Sequence, residues 1–276
     1  MIKYKMSELW EIYVIELNIL FRNEKTKYQY KMALKKFISE NSRCYRMSEN
    51  DLKKYFSEFR NKYSDSYYNV ICSTVKIFYE RVLKQSKKMG WFKPIKTDKQ
   101  FHDIIKDEEF VQIMKNIKNI KHKFFVILFY STGIRIGELL NIKISDVNIL
   151  NQTIFINTEK NGKNRYVPIH DLTLRYLKVY LKEWNPKIYL FEGQNGGKYS
   201  ATSIRNVINK ASKNINKNIY PHLFRHTLIS KTIEKENVFL TMELAGHKNL
   251  NSTLHYNHIP MDKLKEMYNP LNSINI

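Results

Sequence analysis

Apolar side chains recur every three or four residues through the first 85 positions of the chain, which is the spacing of amphipathic helices. Ser48, Glu49 and Asp51 predict a helix start, because a serine cap and acidic side chains stabilise the first turn. The pattern gives four candidate helices, over residues 7–21, 23–40, 48–59 and 64–83. This part of the chain is therefore predicted to form a small unit made only of helices.

The helical pattern stops in a basic, polar run that contains Gly90 and Pro94. Glycine and proline interrupt regular elements, and a run of lysines with few apolar partners is typical of a linker. We therefore predict an N-terminal helical domain over residues 1–86, a basic linker over residues 87–100 and a second domain over residues 101–276.

Helical spacing resumes in the second domain, where one strand region interrupts it. Residues 147–156 alternate between apolar and polar positions, Asn161-Gly162 favours a tight turn, and residues 166–169 continue as a strand. We predict an antiparallel hairpin with its turn near residues 159–165. Candidate helices cover residues 107–117, 122–131, 135–140, 171–184, 201–214, 221–235, 237–245 and 250–256. The predicted fold class is mainly α with a small antiparallel β-sheet, in two domains.

Lysine and arginine outnumber aspartate and glutamate by 47 to 26, which gives a formal net charge of +21. Such an excess favours a polyanionic partner, and nucleic acid is the first candidate. The charge is denser at the N-terminal end, where residues 1–95 carry a net charge of +10. An AT-rich genome also enriches lysine, so a basic soluble protein with no nucleic-acid partner stays open as the alternative interpretation of the charge.

Cys44 and Cys72 are the only cysteines, and they do not have the spacing of a metal site. Both fall in the predicted helical unit of the first region, so we expect reduced thiols with a structural role. No apolar run approaches the roughly 18 residues of a spanning helix, and the N-terminus lacks a signal-peptide pattern. We therefore expect a cytoplasmic protein with no membrane partner.

Side chains suited to phosphoryl transfer stand in three segments of the second domain. These are Gly133-Ile134-Arg135-Ile136-Gly137-Glu138-Leu139, then His222-Leu223-Phe224-Arg225, and then Ala245-Gly246-His247 with Tyr256 nine residues later. Guanidinium groups match the oxygens of a phosphodiester, and positive surroundings allow a phenol to attack the phosphorus without a metal ion. The order and spacing of these segments resemble the tyrosine recombinase family, which includes phage integrases and Xer-type recombinases.

The resemblance implies a catalytic set of six residues: Arg135, Lys160, His222, Arg225, His247 and Tyr256. Arg135 and Arg225 would hold the non-bridging oxygens of the scissile phosphate, because guanidinium groups donate in pairs and stay charged. His222 would hydrogen-bond the phosphate and help to take the proton of Tyr256. His247 would donate to a non-bridging oxygen, so that all of these groups act on one phosphate.

The resemblance makes Tyr256 the nucleophile and Lys160 the acid that protonates the leaving 5′ oxygen. Lys163 lies on the same predicted turn and stays open as the alternative acid. Glu138 would orient neighbouring groups by hydrogen bonding, with a general-base role as the less favoured alternative. Asp146 also matches a family position, and we expect a structural role for it.

The resemblance further implies how the whole protein works. A helical core-binding domain over residues 1–86 and a catalytic tyrosine recombinase domain over residues 101–276 would form a C-shaped clamp on double-stranded DNA. The expected reaction is site-specific recombination through a covalent 3′-phosphotyrosyl intermediate, by a homotetramer on two DNA sites. The implied chemistry uses no cofactor and no metal ion.

Two other functions share parts of this pattern. A type IB topoisomerase uses the same chemistry but religates the same strand, and the two-domain layout and Xer-like spacing disfavour it. A protein that only binds DNA would not need the catalytic residues, and all six are present in the sequence. Relaxation of supercoils would identify the first alternative, and failure to form a covalent adduct would identify the second.

Overall fold

The computed structural model describes residues 5–96, 103–158, 164–194, 196–235 and 265–276. The chain divides into two compact units, Met1–Gln100 and Phe101–Ile276. Each unit has a hydrophobic core of its own. In the parts of the chain just given, no helix has both the length and the apolar character needed to cross a membrane.

Within residues 5–96, the first unit contains four α-helices, as the apolar spacing predicted. They are α1 (Met6–Leu20), α2 (Glu24–Glu40), α3 (Glu49–Lys62) and α4 (Asp65–Ile77), and a π-helical turn, Phe78–Val82, continues α4. Side chains of Asn23, Ser48 and Ser64 accept backbone N–H groups at the starts of α2, α3 and α4. These caps satisfy donors that have no partner inside the helix, and so they fix where each helix begins.

Aromatic side chains dominate the core of the first unit. Tyr13, Phe37 and Phe78 are fully buried, and the ring of Phe78 meets that of Tyr13 edge to face. Cys44 and Cys72 belong to the same core and are free thiols in helical segments, as predicted. Burial of these side chains supplies the hydrophobic stabilisation of a unit with few buried polar groups.

Part of the segment predicted as a linker belongs to the core of the first unit. A 3₁₀-helix covers Ser86–Met89, and the side chains of Met89 and Phe92 are 0% and 5% exposed. The side-chain amide of Asn69 donates to the carbonyl of Ile95 and accepts its N–H, both at 2.9 Å. The lysines suggested an exposed connection, but the apolar residues between them pack onto the helices.

The second unit is also mainly helical. Its helices are α5 (Asp107–Asn116), α6 (Ile120–Thr132), α7 (Ile136–Asn141), α8 (Asp171–Trp184), α9 (Ala201–Ala211) and α10 (Pro221–Lys235). Helix α6 is buried on all sides, and it packs against α8 and α10. The predicted helices over residues 237–245 and 250–256 lie outside the described residues.

Three short strands form an antiparallel sheet in the order β1-β2-β3. They are β1 (Val147–Asn148), β2 (Thr153–Ile156) and β3 (Arg165–Pro168). Ile154 is paired with Val167 and Ile156 with Arg165, which confirms the predicted antiparallel hairpin. Most of its predicted turn, residues 159–163, falls among residues that the structure does not describe.

Residues 147–156 were predicted as one strand region and form two strands instead. Gln152 has a left-handed φ of 51°, and the Asn151 N–H donates to Asn148 Oδ1 at 2.9 Å. These features turn the chain back between β1 and β2, and Leu150 at the turn is 95% exposed. The turn depends on a hydrogen bond to the side chain of Asn148, so the alternation of apolar residues did not reveal it.

The C-terminal residues pack into the core of the second unit. Met267, Leu271 and Ile274 are buried there, and a 3₁₀-helix covers Pro270–Ser273. The side chain of Asn269 donates to the carbonyl of Ser131 at 3.0 Å. This segment therefore stabilises the end of α6, from which the candidate site begins.

Candidate active site

The turn after α6 brings together Arg225 and Arg135, the two arginines predicted to hold the phosphate. Gly133 ends α6 with a left-handed φ of 59°, and Arg225 Nη1 donates to its carbonyl oxygen at 2.9 Å. The left-handed φ favours glycine at residue 133, and a Cβ atom there would also lie 2.8 Å from a methyl carbon of Leu228 in α10, which would have to move. Arg225 is thereby fixed at the backbone two residues before Arg135.

Arg135 is anchored to the carboxylate of Glu138. Its Nη1 donates to Glu138 Oε1 at 2.7 Å, and its backbone N–H donates to Oε2 at 2.9 Å. The side chain of Arg135 is 35% exposed whereas that of Glu138 is 5% exposed. One side of the guanidinium is therefore held by the protein while part of it remains accessible. This is the orienting contact that the sequence predicted for Glu138.

A third arginine, which sequence reasoning missed, completes this cluster. Arg165, at the start of β3, donates from Nη2 to Glu138 Oε2 at 3.1 Å and from Nη1 to Oε1 at 3.4 Å. Its side chain is 4% exposed. Alternation along β3 was the available signal, because Arg165 and buried Val167 share one face of the strand while Tyr166 points out.

The electrostatics of the cluster favour an anion. Burial, and then the positive charges of Arg135 and Arg165, lower the pKa of Arg225 to about 10. Burial by itself raises the pKa of Glu138, but hydrogen bonds and charge from Arg165 and then Arg135 outweigh it, and the pKa lies below its usual value. Two guanidinium groups thus hydrogen-bond to one ionised carboxylate, Arg225 adds a third positive charge, and a bound phosphate would balance the excess.

His222 and Arg225 share helix α10, as the predicted spacing of three residues requires. Arg225 is buried, whereas His222 is exposed in the first turn. The imidazole rings of His222 and His226 lie 6.0 Å apart between their centroids. The helix therefore presents an accessible imidazole one turn before the buried guanidinium.

Three of the predicted catalytic residues, Lys160, His247 and Tyr256, lie outside the described residues, and so does Lys163. The structure brings together Arg135 and Arg225 and places His222 on the same helix as Arg225. Asp146 accepts the backbone N–H of Lys143 at 2.8 Å in the 3₁₀-helix Ile144–Asp146, a local contact that fits the predicted structural role.

The fold is that of integrases whose structures were solved in complex with DNA. A crystal structure of a lambda integrase dimer bound to a COC′ core site matches with a TM-score of 0.74, at 14% identity over 94% of this chain and 100% of that one. The Tn1549 transposon integrase in complex with circular intermediate DNA matches with a TM-score of 0.68, at 17% identity over 92% and 96%.

Residues 103–263 match the model of the phage integrase family, and the chain therefore belongs to that family of DNA breaking and rejoining enzymes. The tyrosine recombinase XerA of Pyrococcus horikoshii is 26% identical over 268 residues, which cover 94% of this chain and 92% of that protein. A tyrosine recombinase of Agathobacter rectalis is 29% identical over 275 residues, covering 89% of each.

Proposed function

We propose that this recombinase cuts and rejoins duplex DNA at specific sites through a covalent bond between Tyr256 and a DNA 3′ phosphate. Integration, excision and dimer resolution all follow from this reaction. The observation that carries the proposal is the arrangement of Arg135 and Arg225 around Glu138, within residues that match the phage integrase family. Paired guanidinium groups of this kind recognise phosphate oxygens.

The arginines act on charge that develops during the attack. A phosphodiester gathers negative charge on its non-bridging oxygens, and donors fixed beforehand stabilise this charge without reorganising. Arg225 is held by the Gly133 carbonyl and Arg135 by Glu138, so both donors are fixed in the protein alone. His222 and His247 add hydrogen bonds to the same phosphate, and His222 helps to take the proton of the tyrosine.

The covalent step conserves the energy of the phosphodiester. The phenol oxygen of Tyr256 forms a bond to phosphorus, the bond from phosphorus to the 5′ oxygen breaks, and Lys160 gives a proton to that oxygen. A 5′ hydroxyl then attacks the phosphotyrosyl ester, restores the DNA backbone and releases the phenol. Because one ester replaces another, the sequence of steps needs no external source of energy.

Double-stranded DNA is the proposed partner, and a homotetramer on two sites is the proposed assembly. Exchange between two duplexes requires four cleavages, one for each protomer. The lambda integrase tetramer bound to a Holliday junction, which this fold resembles with a TM-score of 0.74, supports the assembly. The basic excess of residues 1–95 supports a core-binding role for the first unit, so that both units hold DNA as a clamp.

A suicide substrate, nicked near the cut site so that cleavage cannot reverse, tests the proposal. Wild-type protein should form a protein–DNA adduct on a denaturing gel. Tyr256→Phe should form none while keeping DNA affinity within about twofold, because only the hydroxyl attacks and other residues hold the phosphate. Tyr220→Phe, on a tyrosine outside the predicted set, serves as the matched control and should form the adduct normally.

Other outcomes would identify a different function. An adduct formed by Tyr256→Phe would remove Tyr256 as the nucleophile. Rapid relaxation of supercoiled DNA without strand exchange would favour a topoisomerase. DNA binding with no adduct from the wild-type protein, on any substrate that carries its target, would favour a protein that only binds.

A further inference from the structure

Arg165 is a deeply buried cation in an ion pair, and the proposed mechanism leaves it unused. Its side chain is 4% exposed and meets both oxygens of Glu138, at 3.1 and 3.4 Å. It belongs to β3, whereas Glu138 belongs to α7, so the contact joins the sheet to the helix that carries the site. Charges buried in this way are costly and are retained only with partners in good geometry.

Both oxygens of Glu138 serve two arginines at once. Oε1 accepts from Nη1 of Arg135 and of Arg165, while Oε2 accepts from the backbone N–H of Arg135 and from Nη2 of Arg165. Arg135 is partly accessible, and Arg165 is enclosed. Arg135 is therefore able to touch a substrate, and Arg165 is linked to Arg135 through the carboxylate of Glu138.

The hydrogen bonds and charge of Arg165 help to keep this carboxylate ionised. Burial opposes ionisation of Glu138, and among the groups that counter it Arg165 contributes first and Arg135 second. Without Arg165, Glu138 would gain a proton more easily, and the protonated side chain would also be free to change rotamer. Either change would weaken the two hydrogen bonds that orient Arg135.

We infer that Arg165 is a positioning residue for DNA cleavage, which holds Glu138 so that the guanidinium of Arg135 is fixed against the scissile phosphate. The inference rests on the proposed function, because it assigns Arg165 a part in the same reaction. It also explains why a charged side chain occupies the inward face of β3, where an apolar residue would pack with less desolvation.

A double-mutant cycle on the rate of adduct formation tests the inference. We expect Arg165→Gln to lower the single-turnover rate at saturating DNA about tenfold or more, and Arg165→Lys to recover part of that loss. In an Arg135→Ala background, Arg165→Gln should change the rate by less than about twofold, because residues that act through one contact are not additive. Arg175→Gln, on an exposed arginine of α8, controls for the loss of a positive charge.

The pH profile separates positioning from a general loss of structure. The defect of Arg165→Gln should be largest at acid pH, where Glu138 takes up a proton, and should shrink as the pH rises and the carboxylate ionises. A thermal melt of each variant establishes the folded fraction used in the rate. If Arg165→Gln does not fold, Arg165→Lys should still show a rate defect that disappears in the Arg135→Ala background.

Two results would overturn the inference and leave the proposed function intact. Arg165→Gln could lower the rate of adduct formation by the same factor with and without Arg135, or its rate defect could stay constant with pH. Absence of an adduct from wild-type protein, or full activity of Arg135→Ala, would instead contradict the proposed function, and the inference would be wrong with it. The wild-type and Arg135→Ala measurements therefore show which of the two has failed.

Discussion

The two units of this recombinase differ in the burial of their polar and charged side chains. Among the described residues, twelve polar or charged side chains are buried, and all except Thr74 belong to the second unit. The buried group includes Glu138, Arg165 and Arg225 of the candidate site. The first unit has a similarly apolar core, but its lysines and arginines remain at the surface.

Ion pairs show the same contrast. Lys53 and Glu49 in the first unit are 48% and 46% exposed, whereas Arg165 and Glu138 in the second are 4% and 5% exposed. An exposed pair contributes about 0–1 kcal/mol, because water screens it. Breaking a buried pair costs several times more, about 3–5 kcal/mol. The second unit thus buries charged side chains at the candidate site, where fixed donors are needed. The first unit leaves its charged side chains exposed, where a polyanion can contact them.

The largest expected effect is a loss of cleavage rate when the leaving 5′ oxygen is no longer protonated. Lys160→Ala should slow cleavage of ordinary DNA by about 10²–10⁴, because it removes the proposed acid for the leaving 5′ oxygen. A substrate with sulfur in place of that oxygen should restore cleavage, since thiolate leaves without a proton. Arg225→Ala should lose about 10²–10³ in rate and should not be rescued, because it stabilises the phosphate oxygens.

Adduct formation on matched oxygen and sulfur substrates measures both effects. Rescue of Arg225→Ala but not of Lys160→Ala would exchange the two roles. Rescue of Lys163→Ala in place of Lys160→Ala would make Lys163 the acid.

The effect of intermediate size concerns the salt dependence of DNA binding, to which we expect the first unit to contribute. A shortened protein of residues 97–276 keeps all six catalytic candidates and omits the +10 charge counted over residues 1–95. Every phosphate that the shortened protein fails to neutralise should reduce the slope of log K against log salt by about 0.9. DNA binding by the full-length and shortened proteins across a salt series measures this difference. Equal slopes would mean that the charge of the first unit is only solvated.

The smallest effect should come from a polar group of the first unit. Ser48→Ala removes the hydroxyl that accepts the Asp51 N–H at 3.2 Å, at the start of α3. We expect the free energy of unfolding to fall by about 1 kcal/mol, which is typical when a helix cap is removed. Chemical denaturation measures this change. Adduct formation should be unaffected, and a large loss of cleavage would show that the cap also serves the reaction.

The sequence predicted most of the helices because the residues that begin and end a helix lie close together in the chain. The caps at Ser48 and Ser64 and the left-handed glycine at Gly133 mark helix ends through contacts within a few residues. The segment around Met89 was predicted to be a linker because its lysines are visible in the sequence and its packing partners are not. Burial against distant helices is a tertiary property, and periodicity in a short segment does not reveal it.

The candidate site shows the same limit. Arg135, His222 and Arg225 were identified by their spacing and by resemblance, and Glu138 by its distance of three residues from Arg135. Arg165 was missed because its partner lies 27 residues away in sequence. A lone arginine on a strand suggests a solvent-facing side chain unless the alternation with Val167 is given more weight than the charge.

Mass-spectrometric mapping of the trapped protein–DNA adduct tests the central claim most directly. After digestion with protease and nuclease, the account predicts a single modified peptide, in which Tyr256 carries a 3′-linked nucleotide and the released DNA strand ends in a 5′ hydroxyl. A nucleotide on another residue, or a 5′-phosphate linkage, would contradict the account.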